Sequence, residues 1–151
     1  LVVQRLNKQV KQLDQVKDFT NINIATGRES LICDADLDCP EANLLADSFL
    51  PPTELEFGRE STPRAHRLYK VIDLHLKNTR AYCSFADETK SMLVEIRGNK
   101  HYTMCWGQYD NGEKVVWTKS GLPTEISWEA FTGKDTLRGS PIFLVDSHHI
   151  Q

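Results

Sequence analysis

Leu31-Ile32-Cys33-Asp34-Ala35-Asp36 is the stretch on which the reading of this chain turns. A short apolar run leads directly into two carboxylates two positions apart. Successive side chains of a strand point to opposite faces, so Asp34 and Asp36 project from the same one. Two like charges held that close repel unless a cation lies between them. Hard divalent ions take carboxylate oxygens, so an Asp-x-Asp at a strand end predicts a Mg²⁺ or Mn²⁺ site. The same spacing also occurs in solvated turns. The pair alone therefore says cation, and its neighbours decide the chemistry.

Upstream, Ile22-Asn23-Ile24-Ala25 alternates as a short strand and Gly27 permits a turn. Paired with residues 30–36, this strand would make a hairpin that delivers the aspartates to its end. Further upstream, Val3, Leu6, Val10, Leu13 and Val16 recur every three or four residues. Residues 1–18 thus read as an amphipathic helix with Lys8, Lys11 and Lys17 on its wetter sides.

Downstream, Pro40-Glu41-Ala42 opens a helix, with Pro suited to the first turn and Glu41 to the positive end of the dipole. Leu44, Leu45 and Phe49 give it an apolar side, and Pro51-Pro52 ends it. A short strand over 54–57 passes through a polar loop into a strand over 65–71. Residues 74–90 are polar and poorly periodic, which fits an inserted hairpin. Strands follow over 92–97, 101–106 and 113–117, the last two joined at Asp110-Asn111-Gly112, where Asn-Gly is a hairpin signal. A helical turn is expected at 128–131 and a last strand at 142–145. Gly-Arg-Glu-Ser occurs at 27–30 and again at 58–61, but two copies of four residues do not make a structural repeat.

The length of 151 residues fits one domain with a substantial core. Its start at Leu1, directly in a periodic segment, reads as a piece of a longer polypeptide. The net charge of −3 gives no bulk attraction to nucleic acid, although local basic patches can bind phosphates whatever the total. No apolar run is long enough to span a bilayer and nothing resembles a signal peptide, so a cytoplasmic protein is expected. Cys33, Cys39, Cys83 and Cys105 form no Cys-x-x-Cys pair. Reduced thiols are expected, ahead of a zinc site using Cys83 and His75 or a disulfide framework. His148 and His149 read as a polar end.

Two further features join the aspartates. Glu95 lies between Val94 and Ile96, and an acid in an apolar strand asks for a partner or a cation. Residues 58–67 concentrate Arg59, Ser61, Thr62, Arg64, His66 and Arg67 around a glycine, donors that suit a polyphosphate.

An acid-x-acid pair, a basic loop ending in His and a third strand acid, in that order, resemble the catalytic domain of primase–polymerases of the archaeo-eukaryotic primase superfamily. The likeness is to the bifunctional primase/polymerase domains of plasmid, phage and mobile-element replication proteins. It rests on Asp34-Ala35-Asp36-Leu37-Asp38 with Pro40-Glu41-Ala42, on residues 58–69, and on Val94-Glu95-Ile96-Arg97-Gly98, and it covers about residues 20–130. It implies an α+β, archaeo-eukaryotic primase-like fold: an RRM-like antiparallel sheet unit packed with a second α/β unit, the site in the cleft between. Asp34, Asp36 and Glu95 would hold two Mg²⁺ or Mn²⁺ ions. His66 would contact the phosphates of the incoming nucleotide, with Ser61, Arg64 and Arg97 as further contacts.

The implied activity is template-directed nucleotidyl transfer by a DNA primase/polymerase. Its partners would be a single-stranded DNA template and primer, an NTP or dNTP and a helicase domain or subunit, with no membrane. Two departures stand out. The third acid is Glu where much of the superfamily has Asp, and Gly107 and Tyr109 stand where relatives carry Ser-x-His, leaving Tyr109 or Trp106 to stack on a base. The rival readings are a metal-dependent nuclease or other phosphoryl-transfer enzyme, and a nucleic-acid-binding replication module without turnover.

Overall fold

The structure is a computed structural model that describes residues 21–74, 82–86, 89 and 91–132, with 82–86 given by their backbone path. The expected helix over 1–18, the strand over 142–145, His75 and the terminal histidines lie outside the described residues. The fold is α+β, with mostly antiparallel pairing and two helices among the described residues. In chain order the elements are β1 (Asn21–Ala25), β2 (Ile32–Leu37), α1 (Pro40–Phe49), β3 (Leu55–Arg59) and β4 (Thr62–Val71). There follow β5 (Tyr82–Ala86), β6 (Met92–Arg97), β7 (Tyr102–Gly107), β8 (Val115–Ser120), β9 (Thr124–Ile126) and α2 (Trp128–Thr132). No helix among the described residues is long and apolar enough to cross a membrane.

The main sheet runs β5-β6-β2-β4-β3-β8, with β9 parallel to the end of β4. β1 pairs with β7 instead of with β2, so the expected hairpin is replaced by a corner. Gly27, at φ +121°, turns the chain from β1 toward β2, and a Cβ there would meet the Asn99 backbone at 2.7 Å. Thr26 Oγ1 donates to the Gly98 carbonyl at 2.6 Å, and Asn99 Oδ1 accepts from the Arg28 amide at 2.7 Å. The β1–β2 and β6–β7 connections therefore bend together, and the β1–β7 ribbon comes to lie over the face of the sheet that carries Asp34. Alternation in sequence establishes a strand but does not name its partner, which is why β1 was misassigned.

Two clusters flank the sheet. Cys33, Ala35, Tyr69, Val71, Leu74, Ile96 and Phe131 fill the helical side. Leu55, Phe57, Leu68 and Cys105 fill the ribbon side, with Ile22, Ile24 and Trp117 packed against them. The β7–β8 connection keeps its turn, with Gln108 bridged to Lys114, but its arms separate into ribbon and main sheet. Residues 82–86 form a strand paired to β6, within the segment expected to be an inserted hairpin.

Helix α1 begins as expected. Cys39 Sγ accepts from the Ala42 amide at 3.4 Å, and Pro40 fills the first turn. Its buried side differs from the one expected, for Leu44 is 82% exposed, Leu45 is 44% exposed and Ala46 is the buried residue. Asp47 explains the rotation, since it reaches the sheet arginines Arg64 and Arg67 and fixes which side faces inward.

The polar loop after Gly58 is a tight hairpin turn at Glu60 and Ser61. Phe57 pairs with His66 and Arg59 with Thr62, so three β4 residues bulge opposite Gly58. A Cβ on Gly58 would lie 2.0 Å from the Thr62 carbonyl oxygen. The glycine thus admits the bulge itself, where a phosphate cradle was expected. Gly58→Ala is predicted to cost about 1–3 kcal/mol, the range for overpacking, seen as a lower midpoint in urea unfolding with the slope unchanged.

Candidate metal centre

Strand register builds the site. Asp36 lies directly opposite Glu95 on β6 and opposite His66 on β4, and His66 lies opposite Phe57 on β3. Directly opposed residues of antiparallel strands share a face, so Glu95, Asp36, His66 and Phe57 form one row across four strands. The next row places Arg97 opposite Asp34. Both rows face the ribbon.

Asp34 is fully buried. Its Oδ2 accepts from Thr103 Oγ1 of β7 at 2.6 Å and lies 3.0 Å from His66 Nδ1. His66 Nδ1 also stands 3.4 Å from Asp36 Oδ1, and the imidazole stacks on Phe57 with ring centroids 4.8 Å apart. Arg97 reaches Asp36 Oδ2 through Nη2 at 2.6 Å and Glu95 Oε2 through Nε. Burial works against charge on His66, but the Asp34 and Asp36 carboxylates outweigh it and raise its pKa. Burial pushes the Asp36 carboxyl up to about 7, helped by Asp34 and opposed by His66 and Arg97. Asp38, at the mouth, is also raised by desolvation and by Glu95, against the pull of Arg97.

Among the described residues, two groups of side chains could hold a metal ion: Asp34, Asp36 and His66, and, sharing Asp36, a second group of Asp36, Asp38 and Glu95. The donors fit a hard divalent cation. Asp34 Oδ1 is buried with no hydrogen-bond partner among the described residues, a costly state for a carboxylate oxygen and one that a cation would relieve. Four carboxylates also converge beside Arg97 and His66, leaving the cluster net negative. The oxygen-rich set favours Mg²⁺, Mn²⁺ or Ca²⁺ over a softer ion, without identifying which.

In front of the cluster lies a pocket of about 280 Å³, whose lining includes Asp36, Asp38, His66, Arg97, Arg59 and Tyr109. The Arg59 guanidinium carbon sits 5.6 Å from the centre of the Tyr109 ring. The structure therefore brings Asp34, Asp36, Glu95, His66 and Arg97 together. It does not bring Arg64 or Ser61 into the pocket. The β4 bulge turns Arg64 to the helical side, where it pairs with Glu56 at 2.8 Å and with Asp47 at 2.8 Å. The Ser61 amide donates to Glu113 Oε1 at 2.8 Å in the hairpin turn.

Asp38 and Thr103 were not singled out from the sequence. Asp38 was legible, since it continues the period-two run of acids from Asp34. Thr103 was not, because no local pattern reveals that β7 crosses above β2. Cys33, Cys39 and Cys105 are free thiols, and burial pushes Cys33 up to about 12, which keeps it protonated and inert. Comparison with protein-family models, with curated proteins and with solved structures finds no match for this chain.

Proposed function

We propose that this chain is the catalytic domain of a DNA primase/polymerase, carrying out template-directed nucleotidyl transfer in the replication of a plasmid, phage or mobile element. The observation that carries the proposal is the row Glu95–Asp36–His66 beside buried Asp34, opening into a pocket rimmed by Arg59 and Arg97. A primase-like fold is part of the proposal, supported by the mostly antiparallel sheet and by a pocket set between sheet and ribbon.

In the proposed reaction, a primer 3′-hydroxyl attacks the α-phosphate of an incoming nucleotide and pyrophosphate leaves. Asp34, Asp36 and Glu95, with Asp38 added at the mouth, would hold divalent cations, which supply Lewis-acid activation of the hydroxyl and charge neutralisation on the phosphates. His66 and Arg59 orient the triphosphate and neutralise it, an electrostatic role. Arg59 takes the place first given to Arg64, because it lines the pocket and Arg64 does not. Thr103 fixes the Asp34 carboxylate and so acts as a positioning residue. A helicase domain or subunit in a longer protein would supply the unwound template.

One observation favours a second reading. Arg97 already pairs with both Asp36 and Glu95, as an internal cation would in a nucleic-acid-binding replication module without turnover. Primer synthesis on single-stranded DNA with Mg²⁺ or Mn²⁺ separates these readings. Products longer than the primer are expected from the wild type and none from Asp34→Ala, whose circular dichroism stays native. Shortened strands would make the protein a nuclease. Cation-dependent nucleotide binding without product would select the module, and full extension by Asp34→Ala would sink the site assignment.

A further inference from the structure

Beyond Tyr109 lies a second, more open groove of about 730 Å³, within the size range of ligand sites. Its lining includes Asn21, Trp106, Gln108, Tyr109, Asp110 and Lys114. Tyr109 belongs to both cavities and forms the wall between them, with Arg59 over its ring on the acidic side. Trp106 is 54% exposed, on the face of β7 opposite buried Thr103 and Cys105, as strand alternation places it. Beside it Ile22 pairs with Trp106 and Asn23 with Met104, so Cys105 is an extra residue on β7. The alternation sets the indole in the groove wall.

We infer that this groove is a stacking subsite for an unpaired base of a DNA strand, with Trp106 as the platform and Lys114 as the phosphate contact. The inference rests on the proposed polymerase reading for its choice of DNA. Its physical basis is the groove itself. An exposed indole beside side-chain amides and a lysine offers a π-face, base-edge hydrogen bonds and a positive charge that Asp110 on the same lining offsets, so that stacking carries the binding. Because Tyr109 lines both cavities, a strand held in this groove lies beside the acidic pocket. A duplex, whose bases are already stacked, cannot use the indole.

Titrating the whole chain with a fluorescently labelled oligothymidylate, read as anisotropy, tests this. Trp106→Ala is expected to weaken binding roughly tenfold or more, and Trp106→Phe to restore most of it. Lys114→Gln should lower the slope of log affinity against log salt by about one. Thermal melting of Trp106→Ala should match the wild type, because the side chain is half in solvent. Failure of the polymerase reading would appear as strand binding by the wild type without primer extension, and failure of this inference as primer extension by the wild type with strand binding unchanged in Trp106→Ala. Unchanged affinity in Trp106→Ala, no single-strand binding by the wild type, equal binding of a blunt duplex, or tighter binding of a uridylate oligomer would each overturn it.

Discussion

Asp36→Asn is expected to abolish the proposed primer extension and to raise the melting temperature of the cation-free protein at pH 8. Both effects come from the same carboxylate. An aspartate ionises near 3.9 in an unfolded chain, whereas burial holds Asp36 at about 7 in the fold. Below the unfolded value both states are protonated and the group contributes nothing. As pH rises from about 4 toward 7, the unfolded chain releases a proton that the folded chain retains, so stability falls and stays reduced above 7. The loss at neutral pH is on the order of a few kcal/mol. Asparagine removes the charge and with it the loss, while His66 keeps Asp34 and Arg97 keeps Glu95 as partners.

The cost in activity follows because loss of a ligand should exceed the roughly 10–100-fold effect of outer-shell mutations at metal sites. The expected record is a drop in extension of more than about 10²-fold together with a higher calorimetric midpoint. The shift in melting temperature on adding Mn²⁺ to the wild type should grow between pH 6 and 8 (roughly the span across the Asp36 titration). It should be much smaller in the variant. A variant that melts below the wild type at pH 8 would show that Asp36 is stabilised by its cationic neighbours more than it is penalised by burial.

The strand carrying the aspartates was legible because alternation and an apolar lead-in are local properties. Glu95 was legible as an anomaly, an acid in an apolar run. Their meeting was expected from the family resemblance alone, for it depends on register: one step of slip between β2 and β6 would move Glu95 off the row of Asp36 and to the far side of the sheet. Arg64 shows the converse failure. It was expected as a phosphate contact from the loop before His66, but the bulge opposite Gly58 breaks the alternation of β4 and sends Arg64 to Asp47 and Glu56. Leu44 and Leu45 mislead for a related reason. Helical spacing marks a candidate face, while the pull of Asp47 toward Arg64 and Arg67 decides which face turns inward.

That ion-pair group on the helical side carries the last large effect: Glu56→Ala destabilises the fold by about 3–5 kcal/mol and leaves the metal pocket untouched. Arg67 is 2% exposed and Glu56 is 2% exposed, on directly paired positions of β3 and β4. Arg67 Nη1 reaches Asp47 at 2.7 Å, its Nε stands 3.6 Å from Glu56 Oε2, and its Nε and Nη2 make no hydrogen bond among the described residues. The guanidinium is therefore under-satisfied already, and Glu56 is its buried counter-charge. Glu56 Oε1 also accepts from Thr118 Oγ1 at 2.8 Å and from Arg64 Nε at 2.8 Å, so its loss strands donors from β4 and β8 together. Asp47, whose side chain is 61% exposed, cannot replace it, because a solvated carboxylate compensates a buried charge weakly. At the usual conversion for a chain of this size, melting should fall by about 10 °C. Glu56→Gln keeps one acceptor oxygen, turns the other into an NH2 donor facing the arginines and loses the charge, so it should fall between the wild type and Glu56→Ala. Mn²⁺ binding measured in Glu56→Ala below its melting range should equal that of the wild type, since Glu56 faces the helices and Asp36 the ribbon. A lost metal site with an unchanged melting temperature would reverse the roles assigned to the two faces of the sheet.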